Sequence, residues 1–343
     1  MIAGQVYEGR KLMVSLYVVL LLVCASVFVN GWTDAPNAIA TVISTRVLSA
    51  KAAIFLATVF NLAGVFMMGT AVANTTANIV TIGTGRGALI TLAAAQLSVV
   101  IWALSAWRFG IPTSESHALI AGLMGAGISF KGIEAFNWEE FKKVLIGLGV
   151  ATVLGFIAGY FTTKLIVFIF KRANRRKSNT FFSWGQVLSA SMMAFNHGAQ
   201  DGQKFMGVFA LALVVGGILP TSESLIVPVW VKLLVSILMA VGTSIGGYRI
   251  IKTMGMDMVK LEKYQGFAAE IGASACMMGA TILGIPLSTT NAKGTAIMGA
   301  GAARRFSDVN WNIVKEMLIA WALTFPACLV LGYIMAKLFN FLF

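Results

Sequence analysis

Gly110-Ile-Pro-Thr-Ser-Glu-Ser-His-Ala118 is answered later in the chain by Gly284-Ile-Pro-Leu-Ser-Thr-Thr-Asn-Ala292. The likeness resumes at Met124-Gly-Ala-Gly127 and Met298-Gly-Ala-Gly301, at the same offset of 174 (284 − 110 and 298 − 124). Upstream, Asn30-Gly-Trp-Thr-Asp34 parallels His197-Gly-Ala-Gln-Asp201. A gap-free match of this length does not arise by chance, so the chain reads as a tandem duplication with a unit of roughly 170 residues.

The medium around the duplicated units follows from composition. Of 343 residues, 58% are hydrophobic and 11% charged, where soluble domains carry about a quarter charged. The mean hydropathy is +0.84. Apolar runs such as Leu12–Val29 and Val144–Phe170 reach the length of roughly 20 residues that a bilayer crossing requires. The first run lacks a small-x-small cleavage site and is read as a span rather than a signal peptide. The net charge of +13 comes from 26 basic and 13 acidic residues. The basic residues lie mainly between the apolar runs, as topology signals do, which argues against nucleic acid as a partner. Cys24, Cys276 and Cys328 are scattered in apolar runs and form no metal or disulfide pattern.

Each half contains five hydrophobic segments: about 12–32, 51–75, 87–107, 112–130 and 143–170, then 183–217, 224–248, 266–284, 286–302 and 312–341. An odd number inverts the second copy relative to the first. The expected fold is therefore an all-α polytopic membrane protein of two inverted-topology repeats, with broken or re-entrant helices at the midplane. The expected division is an N-terminal repeat over 1–170, a basic linker over 171–182 and a C-terminal repeat over 183–343. The linker Lys171-Arg-Ala-Asn-Arg-Arg-Lys177 is expected in the cytoplasm. Arg46, Lys51, Arg108, Arg249, Lys252, Lys260, Lys263, Arg304 and Arg305 then share its side. The other side holds Arg10, Lys11, Arg86, Lys131, Lys142 and Lys143, and the loops around Glu223 and after Gly284 hold no basic residue. Both termini are thus expected outside a cell membrane that the chain crosses many times.

Polar residues inside these runs are the candidate site. Gly31 and Pro36 bracket Asp34 and weaken the helix there. Freed carbonyls with a carboxylate and an amide make a hard-oxygen site suited to Na⁺. Pro112 and Pro286 each open a run rich in Ala and Gly, preceding Thr113 and Ser114 in one half and Ser288 and Thr289 in the other. Two such helix starts would aim free amides and positive dipole ends at one centre, an anion site, although ordinary capping explains either one singly. Gln96 and Glu270 each stand 16 positions before their proline (112 − 96 and 286 − 270). A cation site using Glu270 is the first reading, and charge pairing with Lys293 or Lys204 the alternative. Asn61 reads as a ligand or as a helix-packing hydrogen bond. His117 and His197 lack a metal-like spacing. Without a nucleophile–base pair or metal set, an enzyme is not expected.

These motifs resemble the inorganic phosphate transporter (PiT) family, whose duplicated signature is Gly-x-Asn-Asp-x-x-Asn-Ala or a close variant. Asn30–Ala38 looks like the first copy, and Phe195-Asn-His-Gly-Ala-Gln-Asp-Gly-Gln-Lys-Phe-Met-Gly207 like the bacterial form of the second. Gly246-Gly-Tyr-Arg-Ile-Ile-Lys-Thr-Met-Gly255 and the two Pro-x-Ser motifs are similar to further family segments. The resemblance implies symport of inorganic phosphate with Na⁺, or alternatively H⁺, by alternating access. It also implies a homodimer. Carried over by position, it implies phosphate contacts at Thr113, Ser114, Ser288 and Thr289, and substrate and ion roles for Asp34, Asn37 and Asp201. Lys204 would offset phosphate charge. Candidate ligands of the coupling Na⁺ are Asp34, Asn37, Asn61, Gln96, Asp201 and Glu270, and no resident cofactor is expected. The sequence departs from the family at Thr33, Gln200, Glu115 and Asn291. A sulfate symporter on the same scaffold is the rival reading, with an ion channel behind it.

Overall fold

The structure, a computed structural model, describes residues 2–222 and 225–342, so Glu223 lies outside the described residues. The first half folds as α1 (Ile2–Thr33), α2 (Pro36–Ser44), α3 (Ala50–Met67), α4 (Ala71–Ala77), α5 (Arg86–Phe109), α6 (Glu115–Lys131) and α7 (Trp138–Phe170). The second folds as α8 (Arg175–His197), α9 (Gln203–Val215), α10 (Val229–Ile245), α11 (Tyr248–Lys252), α12 (Lys263–Ile282), α13 (Thr289–Ala302) and α14 (Trp311–Leu342). Each of the ten apolar segments holds a helix. Among the described residues, six spans are long and apolar enough to cross a membrane, or seven if α10 and the segment bent 65° from it count as one. Large apolar side chains such as Phe55 and Phe161 face outward, as they do against lipid.

Helix ends follow local chemistry. Ser114 and Ser288 cap α6 and α13, accepting from the amides of His117 (3.2 Å) and Asn291 (3.1 Å). Asn137 and Asn174 cap α7 and α8 in the same way. The duplicated glycines end the helices before them. Gly110 (φ 70°) follows α5 and Gly284 (φ 67°) follows α12, both left-handed, a conformation that favours glycine. Matching bonds close both ends, Ile111 N to Ala106 O (3.1 Å) and Ile285 N to Ala280 O (2.9 Å).

The duplicated elements pack by exchange. α6 of the first half lies along α14 of the second, and α13 of the second lies along α7 of the first. Gly125 and Gly299, again 174 apart, make these crossings close. A Cβ at Gly125 would collide with the carbonyl of Leu329, and one at Gly299 with the carbonyl of Phe156. The halves are therefore interlocked rather than laid side by side.

Connections gather at two ends. At one end, Thr81 N meets Ala135 O (2.8 Å), Gly85 N meets Val215 O (3.3 Å) and Leu225 N meets Asn74 Oδ1 (2.8 Å). At the other, Thr45 Oγ1 meets Gln186 Oε1 (2.8 Å), Asn310 N meets Met258 O (2.9 Å), and Arg249 donates to Arg108 O. Arg304 pairs with Glu262 (2.8 Å) and Lys263 Nζ donates to Ser183 Oγ (2.7 Å), tying further basic segments together.

The expected break at Asp34 is a short turn between α1 and α2, where Pro36 has no amide to donate. Its counterpart differs. α8 and α9 are continuous through one π-helical turn, Gly198–Gly202, which carries Asp201. π-bulges of this kind recur at functional sites.

Candidate functional site

Five elements deliver polar side chains to the interior: the α1–α2 turn, the π-turn with the start of α9, and the first turns of α6 and α13. Asp34, Asn37, Glu115, Asp201, Lys204 and Thr289 are all buried there. Thr289 Oγ1 lies between the two duplicated aspartates, 3.3 Å from Asp34 Oδ2 and 3.2 Å from Asp201 Oδ2. Its neighbour Thr290 donates to Asp34 Oδ1 and lies 3.1 Å from Asn37 Nδ2. Asn37 Nδ2 donates to Asp34 Oδ1 (2.5 Å), and Asn30 Nδ2 donates to Asp201 Oδ2 (3.2 Å). Residues 167 positions apart in the chain (201 − 34) thus meet at one helix start.

Lys204 closes one side. Its Nζ donates to Asp201 Oδ1 (2.6 Å), Ser116 Oγ (2.5 Å) and Leu287 O (2.6 Å). An ammonium has three donors, so these contacts use all of them. Lys204 therefore has no donor left for a further hydrogen bond. Ser116 Oγ also reaches Leu287 O (3.2 Å), so the two proline-led helix starts face each other directly.

What this centre leaves unpaired decides what it can hold. Ser114 and Ser288 satisfy only one amide each at their helix starts. The amides of Glu115, Ser116, Thr289 and Thr290 remain as the orphan donors that every helix start presents. Two positive dipole ends with free amides favour an anion. Buried acceptors are also left over: Asn30 Oδ1, Asn37 Oδ1 and Glu115 Oε2 have no hydrogen-bond partner. One ligand atom each from Asp34, His197 and Asp201 lie within 4.8 Å of one another. Burying acceptors without donors is costly unless a cation meets them, and oxygen-rich sets suit hard cations. Glu115 Oε1 takes the hydroxyl of Thr33, so two of the four departures from the family pattern partner each other.

Other candidates sit further out. His197 Nδ1 is 3.1 Å from Asn61 Oδ1, and Asn61 Nδ2 donates to Thr243 Oγ1 (3.2 Å). Asn61 is thus one side chain removed from Asp201, in a hydrogen-bonded packing role. Gln200 ties the π-turn to Thr281 Oγ1 (2.9 Å) and Ile285 O (3.3 Å). Glu270 lies in a second buried cluster. Lys293 Nζ is 3.6 Å from Glu270 Oε1 and 3.0 Å from Thr41 Oγ1, and the hydroxyls of Thr41 and Ser189 donate to the Glu270 carboxylate. The pairing with Lys293 is the second of the two sequence readings of Glu270. Gln96 is buried with both side-chain polar atoms unpartnered. No hydrogen bond or ion pair among the described residues links it to Asp34 or Asp201.

Asn30, Ser116 and Thr290 carry no role in the sequence reading, and His197 is weighed there only as a histidine without a metal-like spacing. The doubled threonine and the motif neighbourhood are the only local signals for Thr290. His197 is four positions before Asp201 and meets it along the same helix (3.4 Å), whereas its approach to Asp34 is made by the fold.

The chain is similar to known sequences and to a solved structure. The pattern of a family described as "Phosphate transporter family" matches residues 30–332. The "Probable low-affinity inorganic phosphate transporter" of Bacillus subtilis (strain 168) is 37% identical over 328 residues, covering 95% of this chain and 98% of that protein. A protein of the same description from Rhizobium meliloti (strain 1021) is 37% identical over 310 residues, covering 89% and 90%. A solved structure described as "The sodium-dependent phosphate transporter" shares the fold with a TM-score of 0.90 at 22% identity, covering 96% of this chain and 100% of that one.

Proposed function

The chain belongs to the phosphate transporter family, and from that membership we propose that it is a secondary active symporter of inorganic phosphate. Its coupling cation is Na⁺, with H⁺ as the alternative, and it works by alternating access. It is a membrane transport protein and not an enzyme, as the names of its relatives agree. The observation that carries the mechanism is Thr289 bridging Asp34 and Asp201, which joins both duplicated motifs in one buried centre.

Phosphate sits between the starts of α6 and α13, on their orphan amides and the hydroxyls of Thr113, Ser114, Ser288 and Thr289. Coupling cations are held by Asp34, Asn37 and Asp201. Charge explains why the two must travel together. Asp34, Glu115 and Asp201 oppose the single ammonium of Lys204 in this centre, a formal balance of −2 (−3 + 1). Two like charges about 4 Å apart repel by about 4 kcal/mol at an effective dielectric near 20. An added phosphate is therefore repelled until cations neutralise the carboxylates. Glu270 has the ammonium of Lys293 beside it, which supplies a positive charge from within the chain. Gln96 stands as an outer cation ligand with its free amide oxygen, whereas the side chain of Asn61 is already engaged by His197 and Thr243.

Phosphate is favoured over sulfate because it carries hydroxyl protons at neutral pH. Those protons can be donated to Asp34, Asp201 or the unpaired Glu115 Oε2, where sulfate offers only acceptors. That the like-folded structure is described as sodium-dependent supports Na⁺ as the first choice.

In the proposed membrane topology the halves, 1–170 and 183–343, are inverted copies joined by the linker 171–182. The basic residues of the linker support a cytoplasmic location for it, with both termini outside the cell membrane. Association as a homodimer completes the reading, and mass measured in detergent checks it. Phosphate uptake into proteoliposomes tests the function. An inward Na⁺ gradient is expected to drive saturable uptake that excess sulfate does not compete away. No uptake under either a Na⁺ or a proton gradient would sink the proposal.

A further inference from the structure

At the linker end, two adjoining hollows of about 450 Å³ and 270 Å³ share Arg175 and Asn179 in their walls. The first is polar and basic, with Arg175, Arg176 and Lys263 around it. The second runs along the end of α7 and is walled by Ile166, Phe170 and Phe182. Phe170 and Phe182 pack with ring centroids 4.9 Å apart. Phe170 is the last residue of a long apolar span, so the second hollow lies at the edge of the hydrocarbon.

The charge here is uncompensated. Asn174 caps α8 by accepting from the amides of Arg176 and Lys177. The first turn of that helix then carries Arg175, Arg176 and Lys177 and no acid. Cations at a helix start oppose the dipole, which favours anions there. No ion pair among the described residues neutralises these three. Glu262, the one carboxylate in the second hollow, is already paired with Arg304 at 2.8 Å. An anion with an apolar tail fits both halves of the groove, and basic pockets between spans at the cytoplasmic surface are where such headgroups bind.

We propose that this groove binds one anionic phospholipid, its phosphate on Arg175, Arg176 and Lys263 and an acyl chain against Ile166, Phe170 and Phe182. The site is independent of the transported anion and does not rest on the transport mechanism above. Phosphatidylglycerol added to detergent-purified protein tests it, with retained lipid counted by native mass spectrometry and melting temperature read in parallel. Phosphatidylglycerol is expected to be retained one per chain and to raise the melting temperature, whereas phosphatidylcholine does neither. R175Q, R176Q and K263Q are each expected to weaken retention about fivefold. R172Q, an exposed cation of the same linker that lines neither hollow, should leave it unchanged. Glycerophosphoglycerol, the headgroup without chains, should give no shift. Equal retention of the two lipids, an equal loss in R172Q, or a full shift from the chain-free headgroup would each overturn the proposal.

Discussion

Thr289 is the one hydroxyl that touches both duplicated aspartates, so its removal should be felt more than that of any other single oxygen in the centre. Thr289→Val keeps the volume and deletes the donor. Hydrogen bonds to charged groups contribute about 1.5–3 kcal/mol, so phosphate affinity measured by calorimetry should fall about tenfold or more, with Thr289→Ser restoring most of it. A valine variant binding like the parent would remove Thr289 from the site. The Glu270–Lys293 pair makes a second prediction. Breaking one side of a buried ion pair costs about 3–5 kcal/mol, whereas replacing both sides is often neutral. Glu270→Gln and Lys293→Met should each lower the melting temperature sharply, and the double variant should recover most of the loss. Additive losses would show that the two do not act as a pair. At this scale the sequence was informative wherever a motif recurred. Asp34 and Asp201 stood out because each has a partner in the other half, and Thr289 because its motif recurs, although Glu115 takes its place in the first copy (289 − 174). Gln96 and Glu270 align just as well, yet their surroundings differ, since the position of Lys293 corresponds to Leu119 in the first half (293 − 174). Which side chains meet Glu115 or His197 depends on how the interlocked halves cross, and no local pattern encodes that.

The helices come close only where glycine permits it. Gly125 and Gly299 occupy equivalent places in the two copies, and each lies against a backbone carbonyl of the other half. Gly125→Ala and Gly299→Ala should therefore push α6 from α14 and α13 from α7. Overpacking typically costs about 1–3 kcal/mol, so both variants should melt at lower temperature. Gly279 lies in α12 with open space around it. Gly279→Ala should be neutral or stabilising, by up to about 1 kcal/mol on helix propensity. A comparable loss in all three variants would contradict the close-crossing account. Although only six or seven spans among the described residues are long and apolar enough to cross a membrane, the helices of the ten apolar segments were legible from hydropathy. The short helices α2, α4 and α11 were not, because hydropathy reports what is buried and not where a chain bends. Pro36 did mark the first interruption. The second was expected to be a similar break and is instead a π-turn, which keeps every residue helical and leaves no signature proline.

Across the whole molecule, the two copies place their acidic motifs and their proline-led helix starts around one centre. The interior then carries more carboxylates than ammonium groups, and an anion can enter only in company with cations. The duplication that reveals this arrangement is visible in the sequence as motifs repeated between the two halves. The identity of the anion rests on family membership together with the proton-accepting oxygens of Asp34, Asp201 and Glu115. Phosphate affinity measured on purified protein with Na⁺, and again with choline replacing it, tests the coupling most directly. The account predicts that Na⁺ tightens phosphate binding by at least tenfold and that Asp34→Asn abolishes the difference. Equal affinity with and without Na⁺ in the parent protein, at fixed pH and ionic strength, would contradict it.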